Sequence, residues 1–176
     1  TDLDRLLGQY KGLSGEVGKA LGDLETAFTV KQKEDKDKDK AKRPLLDDEL
    51  ITETESDANM EGEPVTRIVA TILRHAAEQR DTDIHIEPMA AQTRVRFRID
   101  GILKTNITLP VKVHPAVVAR IKVLSNMRLD ERRKPQDGRF SARISGVKVD
   151  FRVSTFPTYY GEKVVMRILG TTSTVL

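Results

Sequence analysis

Arg133-Lys134-Pro135-Gln136-Asp137-Gly138-Arg139-Phe140, Val149-Asp150-Phe151-Arg152-Val153-Ser154-Thr155 and Gly161-Glu162-Lys163-Val164-Val165-Met166-Arg167 are the segments on which the reading of this chain turns. From residue 139, Phe140, Ala142 and Ile144 alternate with Arg139, Ser141 and Arg143. Val147, Val149, Phe151 and Val153 then alternate with Lys148, Asp150, Arg152 and Ser154. Successive strand residues point to opposite faces, so this period of two describes strands with one apolar face and one face rich in arginine. Ser145-Gly146 sits between the runs as a two-residue turn, which fixes the register. Counting outward pairs Ile144 with Val147, Arg143 with Lys148 and Arg139 with Arg152. Like charges directly across a ladder are destabilising. Such a face either spreads its long side chains into water or offers many donors to an anion.

Working outward, the charge of the 176 residues divides unevenly. Residues 1–64 hold 10 Lys+Arg against 17 Asp+Glu and the remainder 20 against 10, giving −7 and +10. The second part is therefore the one expected to meet phosphate, nucleic acid or an acidic protein face. Without cysteine there is no disulfide, thiolate metal site or cysteine nucleophile, and redox compartment is undecided. No apolar run reaches the ~18 residues of a membrane span, and no signal-peptide pattern opens the chain, so a cytosolic location is expected.

In chain order, Leu3, Leu6, Leu7 and Tyr10 share one helical face. Val17, Ala20, Leu21, Leu24 and Phe28 form a second, with Ser14 placed to cap it after Lys11-Gly12. A helical hairpin over residues 1–30 buries little surface by itself and reads as the end of a larger upstream domain. Residues 31–63 are nearly all charged or acidic and read as a flexible linker. Interleaved aspartates cancel the field that a nucleic-acid-binding lysine tail would need.

Pro64 opens a helix through about Gln79, with Val65, Ile68, Val69, Ile72, Leu73 and Ala76 on one face. Asp83-Ile84-His85-Ile86-Glu87 is a strand stopped by Pro88 and is read as lying at a sheet edge. Arg94 to Asp100 is a strand with Val95, Phe97 and Ile99 inward and Arg94, Arg96 and Arg98 outward. Burying Leu103, Ile107 and Leu109 on the return strand requires one extra residue, assigned to Gly101 as a glycine bulge. A helix from His114-Pro115 ends around Asn126 to Arg128, with Val117, Ile121 and Leu124 inside and Arg120 and Lys122 outside. The order helix, three strands, helix, three strands describes an α+β domain with a mostly antiparallel sheet, helices on one face and arginines on the other.

The phosphate-cradling loop Gly-x-x-x-x-Gly-Lys-Ser/Thr is missing: Gly18-Lys19 is followed by Ala20, and Leu13 stands where the first glycine belongs. His75, His85 and His114 lack the spacing of zinc ligands. His85 and Glu87 share a strand face without a nearby nucleophile and read as a structural polar pair, and Ser125, Ser141 and Ser154 lack the glycine elbow of a catalytic serine. What remains is the arginine face. A guanidinium is a planar fork of donors matched to phosphate oxygens and stays charged near neutral pH.

Asp83-Ile84-His85-Ile86-Glu87-Pro88, Arg94-Val95-Arg96-Phe97-Arg98-Ile99-Asp100-Gly101, Arg120-Ile121-Lys122-Val123-Leu124, Glu131 to Arg139, Asp150 to Thr155 and Gly161 to Leu169 together resemble the type II secretion and type IV pilus assembly ATPase family. The resemblance covers Val65 to Gly170 and implies that residues 64–170 form that family's second amino-terminal domain, a PAS-like α+β unit. It implies further that residues 171–176 begin a linker to a RecA-like catalytic domain, in a homo-hexameric cytoplasmic motor held at the inner membrane through platform or adaptor proteins. ATP and Mg2+ would sit on that catalytic domain, of the same or a neighbouring subunit. By motif position, the arginines supplied to the phosphates are Arg152 and Arg167, with Arg139 a weaker third. No activity is expected of this chain alone, and no metal site within it. If Arg167 is instead held by a carboxylate, Asp150 is the expected partner. Two other readings are a docking module for the platform or adaptor and, less favoured, a nucleic-acid-binding sheet. Aromatics suited to stacking are wanting on the arginine face, since Phe97 and Phe151 point inward.

Overall fold

The computed structural model describes residues 11–26 and 64–172. Helix α1 occupies residues 11–26. It is followed by α2 (Pro64–Glu78), strands β1 (Asp83–Pro88), β2 (Gln92–Ile99) and β3 (Ile102–Pro110), a 3-10 turn (Val111–Val113) and α3 (His114–Leu124). Strands β4 (Gln136–Ile144), β5 (Val147–Thr158) and β6 (Gly161–Thr172) complete the order. The helical face made by Leu3 to Tyr10, Phe28 and the acidic linker fall outside the described residues.

The six strands form one sheet in the order β3-β2-β1-β6-β5-β4, with every neighbouring pair antiparallel. This is the expected α+β architecture. One sheet face carries Ile84, Ile86, Val95, Phe97, Phe151, Val153, Val164 and Met166, which are buried in a single cluster with Ile68, Ile72 and Ala76 of α2 and Val117 and Ile121 of α3. Each such side chain removed from water contributes about 1.5–3 kcal/mol, so this face dominates stability. Residues 11–26 run as one helix through Lys11-Gly12, so Ser14 lies inside it and does not cap it. Leu13, Val17, Ala20 and Leu24 of α1 join the same cluster. Ion pairs of Arg67 with Asp23 and Arg74 with Glu16 tie α1 to α2.

The β4–β5 register is the one counted from the turn: Ile144 opposite Val147, Arg143 opposite Lys148, Arg139 opposite Arg152. Ser145 and Gly146 both have positive φ (50° and 77°), as a two-residue hairpin turn with matching twist requires. The β2–β3 hairpin departs from expectation. Asp100 and Gly101 also both have positive φ (49° and 79°), and Ile99 faces Ile102, so the turn holds two residues and no bulge. The extra residue lies farther along β3, where Arg96 faces Thr105 but Val95 faces Ile107. Ile107 and Leu109 are buried as expected, whereas Leu103 comes opposite Arg98 on the polar side and is half-buried.

Strand β1 is not an edge strand; it lies between β2 and β6 near the middle of the sheet. The loop after α3 is fixed by Gln136, whose Oε1 accepts the Arg128 N–H at 3.0 Å and whose Nε2 donates to the carbonyls of Arg128 and Glu131. Gly138 lies so close to the end of α3 that a Cβ there would stand 2.6 Å from the Ser125 carbonyl oxygen, which explains the glycine in Gln136-Asp137-Gly138.

Lys122, expected on the outside of α3, is buried. Its Nζ lies 2.7 Å from Glu162 Oε2 at the start of β6 and donates to the Glu131 carbonyl at 2.7 Å. His114 Nε2–H donates to the Glu162 backbone carbonyl at 2.7 Å, so Glu162 joins β6 to both ends of α3. Removing one member of a buried pair strands the other, at a cost of about 3–5 kcal/mol. Lys122→Met is therefore expected to lower unfolding free energy by about that amount, and Lys122→Met with Glu162→Gln to recover part of it in urea titrations. Asp81, between α2 and β1, is also buried, and neither carboxylate oxygen has a hydrogen-bond partner. Burial, aided by the charge of Asp100, raises its pKa from 3.8 to about 7. A raised folded pKa means that stability present below pH 3.8 is lost as pH rises through about 7. Asp81→Asn should thus stabilise the fold progressively from pH 4 to 7, and melting temperatures at pH 5 and 8 would show the larger gain at pH 8.

Candidate functional site

Alternation along four strands gathers Arg94, Arg96 and Arg98 of β2, Lys163 and Arg167 of β6, Lys148 and Arg152 of β5, and Arg139 and Arg143 of β4 on the sheet face opposite the helices. Asp83, Glu87, Asp137 and Asp150 share it: nine positive charges against four negative, an excess of five. Phe156, opposite Lys163 and partly exposed, stands at the rim, so the face is not wholly without an aromatic side chain. Phe97 and Phe151 are fully buried on the other side, as expected.

Two carboxylates on β1 organise the cations around them. Glu87 is nearly buried and accepts from Arg94 at 3.0 Å, Arg96 at 2.6 Å and Lys163 at 3.1 Å. Burial alone would raise its pKa, but hydrogen bonds from Arg96, Lys163 and Arg94 outweigh that and bring it down to about 2. His85 lies between Asp83 and Glu87 on the same face, its Nδ1 3.9 Å from Glu87 Oε1. Burial and the charge of Lys163 depress its pKa, so it stays a neutral imidazole among cations. The His85–Glu87 pair is thus part of a structural polar cluster.

One level along the sheet, register partners place Arg98, Asp83, Arg167, Arg152 and Arg139 in a row across five strands. All three arginines assigned to phosphate therefore stand side by side on one face, and all are exposed. Arg167 Nε donates to Asp83 Oδ1 at 3.0 Å, with the arginine side chain 67% exposed and the aspartate 7%. The carboxylate that holds Arg167 is therefore Asp83, 84 residues away in sequence. Asp150 is instead the acceptor of the Ser141 hydroxyl, 2.5 Å away. Neither Arg152 nor Arg139 has a hydrogen bond or ion pair to any described residue. The sequence reading missed Lys163 as a partner of Glu87. Its signal was the spacing Lys163-Val164-Val165-Met166-Arg167, which puts both cations on one strand face.

The depressed pKa of Glu87 has a measurable consequence. Its folded pKa of about 2 lies below the ordinary 4.5, so it contributes stability that is complete above pH 4.5 and lost as pH falls through about 2. Between pH 5 and 2 the Glu87→Gln protein should lose less stability than the parent, as followed by circular dichroism in urea; parallel losses in the two proteins would contradict this account.

The family model described as "Type II/IV secretion system protein" matches residues 58–176. Type II secretion system protein E of Xanthomonas campestris is 48% identical over 106 residues, covering 60% of this chain and 19% of that protein. Type II secretion system protein HxcR of Pseudomonas aeruginosa is 36% identical over 168 residues, 96% of this chain and 33% of the relative. Type IV pilus assembly ATPase PilB of the same organism is 45% identical over 123 residues, 68% of this chain and 22% of the relative. The chain thus spans between a fifth and a third of the length of these relatives. With the family model matched across the whole sheet and its arginine face, this chain belongs to the Type II/IV secretion system protein family.

Proposed function

We propose that this chain is the phosphate-facing domain of a secretion or type IV pilus assembly ATPase, and that Arg152 and Arg167 reach the phosphates of an ATP held by a RecA-like domain. That domain belongs to the same or a neighbouring subunit of a homo-hexamer. The observation that supports this reading is the Arg139–Arg152–Arg167 row: three exposed guanidinium groups on neighbouring strands of one sheet face. Phosphoryl transfer develops charge on oxygens, and positioned arginines stabilise it electrostatically. Arg152, at the centre of the row and without a partner among the described residues, is the most available of the three. Arg139 is the weaker candidate because it lies on the edge strand β4.

These residues fit phosphate and do not fit Mg2+. Asp83, in the row, is engaged by Arg98 and Arg167, and Glu87 by Arg94, Arg96 and Lys163. Asp150 and Asp137, two residues along from Arg152 and Arg139, each accept from a serine hydroxyl of the neighbouring strand, and no group of three or more His, Asp or Glu among the described residues could hold a metal ion. The metal therefore belongs with the catalytic domain. In this arrangement residues 31–63 serve as a linker, and residues 171–176 lead toward the RecA-like domain. Closure over ATP and release after hydrolysis would convert chemistry into domain movement. No helix among the described residues is long and apolar enough to cross a membrane. The proposed location is the cytoplasmic side of the inner membrane, reached through platform or adaptor proteins.

Arg152→Ala and Arg167→Ala in the longer ATPase carrying this chain should each lower ATP turnover by roughly a thousandfold, with the unfolding temperature unchanged in Arg152→Ala, which loses no partner among the described residues, and lowered without loss of the fold in Arg167→Ala, where Asp83 keeps Arg98. Full turnover in both variants, or loss of turnover only with loss of fold, would overturn the proposal. The chain by itself is expected to show no ATP hydrolysis.

A further inference from the structure

We infer that Asp83 is a positioning residue for Arg167, holding its guanidinium by one edge so that the rest of the donor fork faces the phosphates. This rests on the phosphate-contacting role proposed for Arg167.

The inference starts from which atoms touch. Asp83 Oδ1 accepts from Arg167 Nε at 3.0 Å, while Oδ2 accepts from Arg98 Nε at 3.1 Å and from the Thr82 hydroxyl at 3.2 Å. The two arginines are not equivalent. Arg98 also donates Nη1 to the Gly101 carbonyl at 2.9 Å, so it is bound at two points and closes the β2–β3 turn. Arg167 makes only the Nε contact among the described residues. A guanidinium has five N–H donors, and one bond through Nε leaves the four on the two Nη nitrogens available. Those are the donors that grip a phosphate two at a time. A carboxylate facing the two Nη groups would have blocked them; one on Nε orients without blocking.

Asp83 is suited to this because it is rigid. It lies in β1, paired on one side with Arg98 of β2 and on the other with Arg167 of β6, and its side chain is only 7% exposed. Burial opposes its ionisation, but the Arg167 hydrogen bond and charge, with Thr82 and Arg98, hold its carboxyl below the usual range. It is also the only acidic residue in the row. It therefore offsets part of the repulsion that Arg152 exerts on Arg167 across the β5–β6 ladder.

Positioning and charge offset make opposite forecasts. If Asp83 only tempers the positive face, Asp83→Ala raises the local potential, tightens ATP and leaves kcat intact or higher. If it positions Arg167, Asp83→Ala lowers kcat about tenfold or more, while KM for ATP stays constant or falls. The first measurement is steady-state hydrolysis by the longer ATPase carrying Asp83→Ala, Arg167→Ala, both, or Arg98→Ala. Expected are a kcat loss in Asp83→Ala, no further loss when it is added to Arg167→Ala, and near-parental kcat in Arg98→Ala. The second uses this chain alone: the Arg167 Nε–Hε signal in 15N-resolved NMR should be protected from exchange, survive millimolar inorganic triphosphate, and vanish in Asp83→Ala. Should Asp83→Ala unfold, Asp83→Asn keeps the volume and removes one of the two acceptors, and the same two measurements apply. Loss of kcat in Arg167→Ala but none in Asp83→Ala overturns this inference and leaves the phosphate role standing. Parental kcat in Arg167→Ala overturns both. An Hε signal abolished by triphosphate would make Asp83 a competitor for Arg167 and overturn the positioning role.

Discussion

Nine cations on one sheet face repel one another, and the fold depends on how that repulsion is met. Strand β1 meets it from the centre. Its Asp83 and Glu87 are spaced by four residues on one strand face, and each receives cations from both adjacent strands: Arg98 and Arg167 for the first, Arg94, Arg96 and Lys163 for the second. Had β1 lain at an edge, each carboxylate would have met one neighbouring strand and half of these charges would have gone uncompensated. The charges here are coupled to the order β3-β2-β1-β6-β5-β4. The cations of these pairs are partly exposed but the carboxylates are buried, so each carboxylate needs its partners in place, and the pairs set partner and geometry across three strands.

Cohesion comes from the other face. The apolar sides of β1, β2, β5 and β6 pack against α2 and α3, with α1 extending the same cluster. Into that cluster the chain places one charged pair, Lys122–Glu162, whose desolvation its attraction barely offsets. Its justification is geometric: Glu162 opens β6 beside the Tyr159-Tyr160 turn, and Lys122 and His114 hold it from two turns of α3. The start of β6 is thereby fixed, and with it the alternation that sends Lys163, Val165 and Arg167 to the open face.

Legibility in the sequence followed the distance over which a constraint acts. The β4–β5 register could be read outright because a two-residue turn leaves one way to pair the strands, and the Arg139–Arg152 juxtaposition came with it. The β2–β3 register departs from its sequence pattern although the turn chemistry is the same. Asp100-Gly101 suited a two-residue turn, but the apolar pattern of Leu103, Ile107 and Leu109 demanded an extra residue, which the chain places beyond Thr105 instead. The pattern holds for Ile107 and Leu109, beyond the bulge, and fails at Leu103, which precedes it. Lys122 reads as solvent-facing because lysine on an amphipathic helix belongs there unless paired, and its partner lies 40 residues on. Asp83 and Arg167, 84 residues apart, offered no local signal at all; only the placement of β1 beside β6 brings them together.

The same long-range pairing bears on why the three arginines of the row differ. Identical in chemistry and all exposed, they are graded by what stands beside them: Arg139 has Arg152 on one side and the sheet edge on the other, Arg152 has an arginine on each side, and Arg167 has Arg152 and Asp83. An arginine flanked by two others gains most from an arriving anion, because the anion relieves repulsion as well as making new bonds. One already bonded to a carboxylate gains less charge relief but loses less freedom on binding, since its plane is set beforehand. In the proposed arrangement the two contributions are complementary: Arg152 supplies the unmet charge that draws phosphate to the face, and Arg167 supplies the fixed fork that gives the contact its direction.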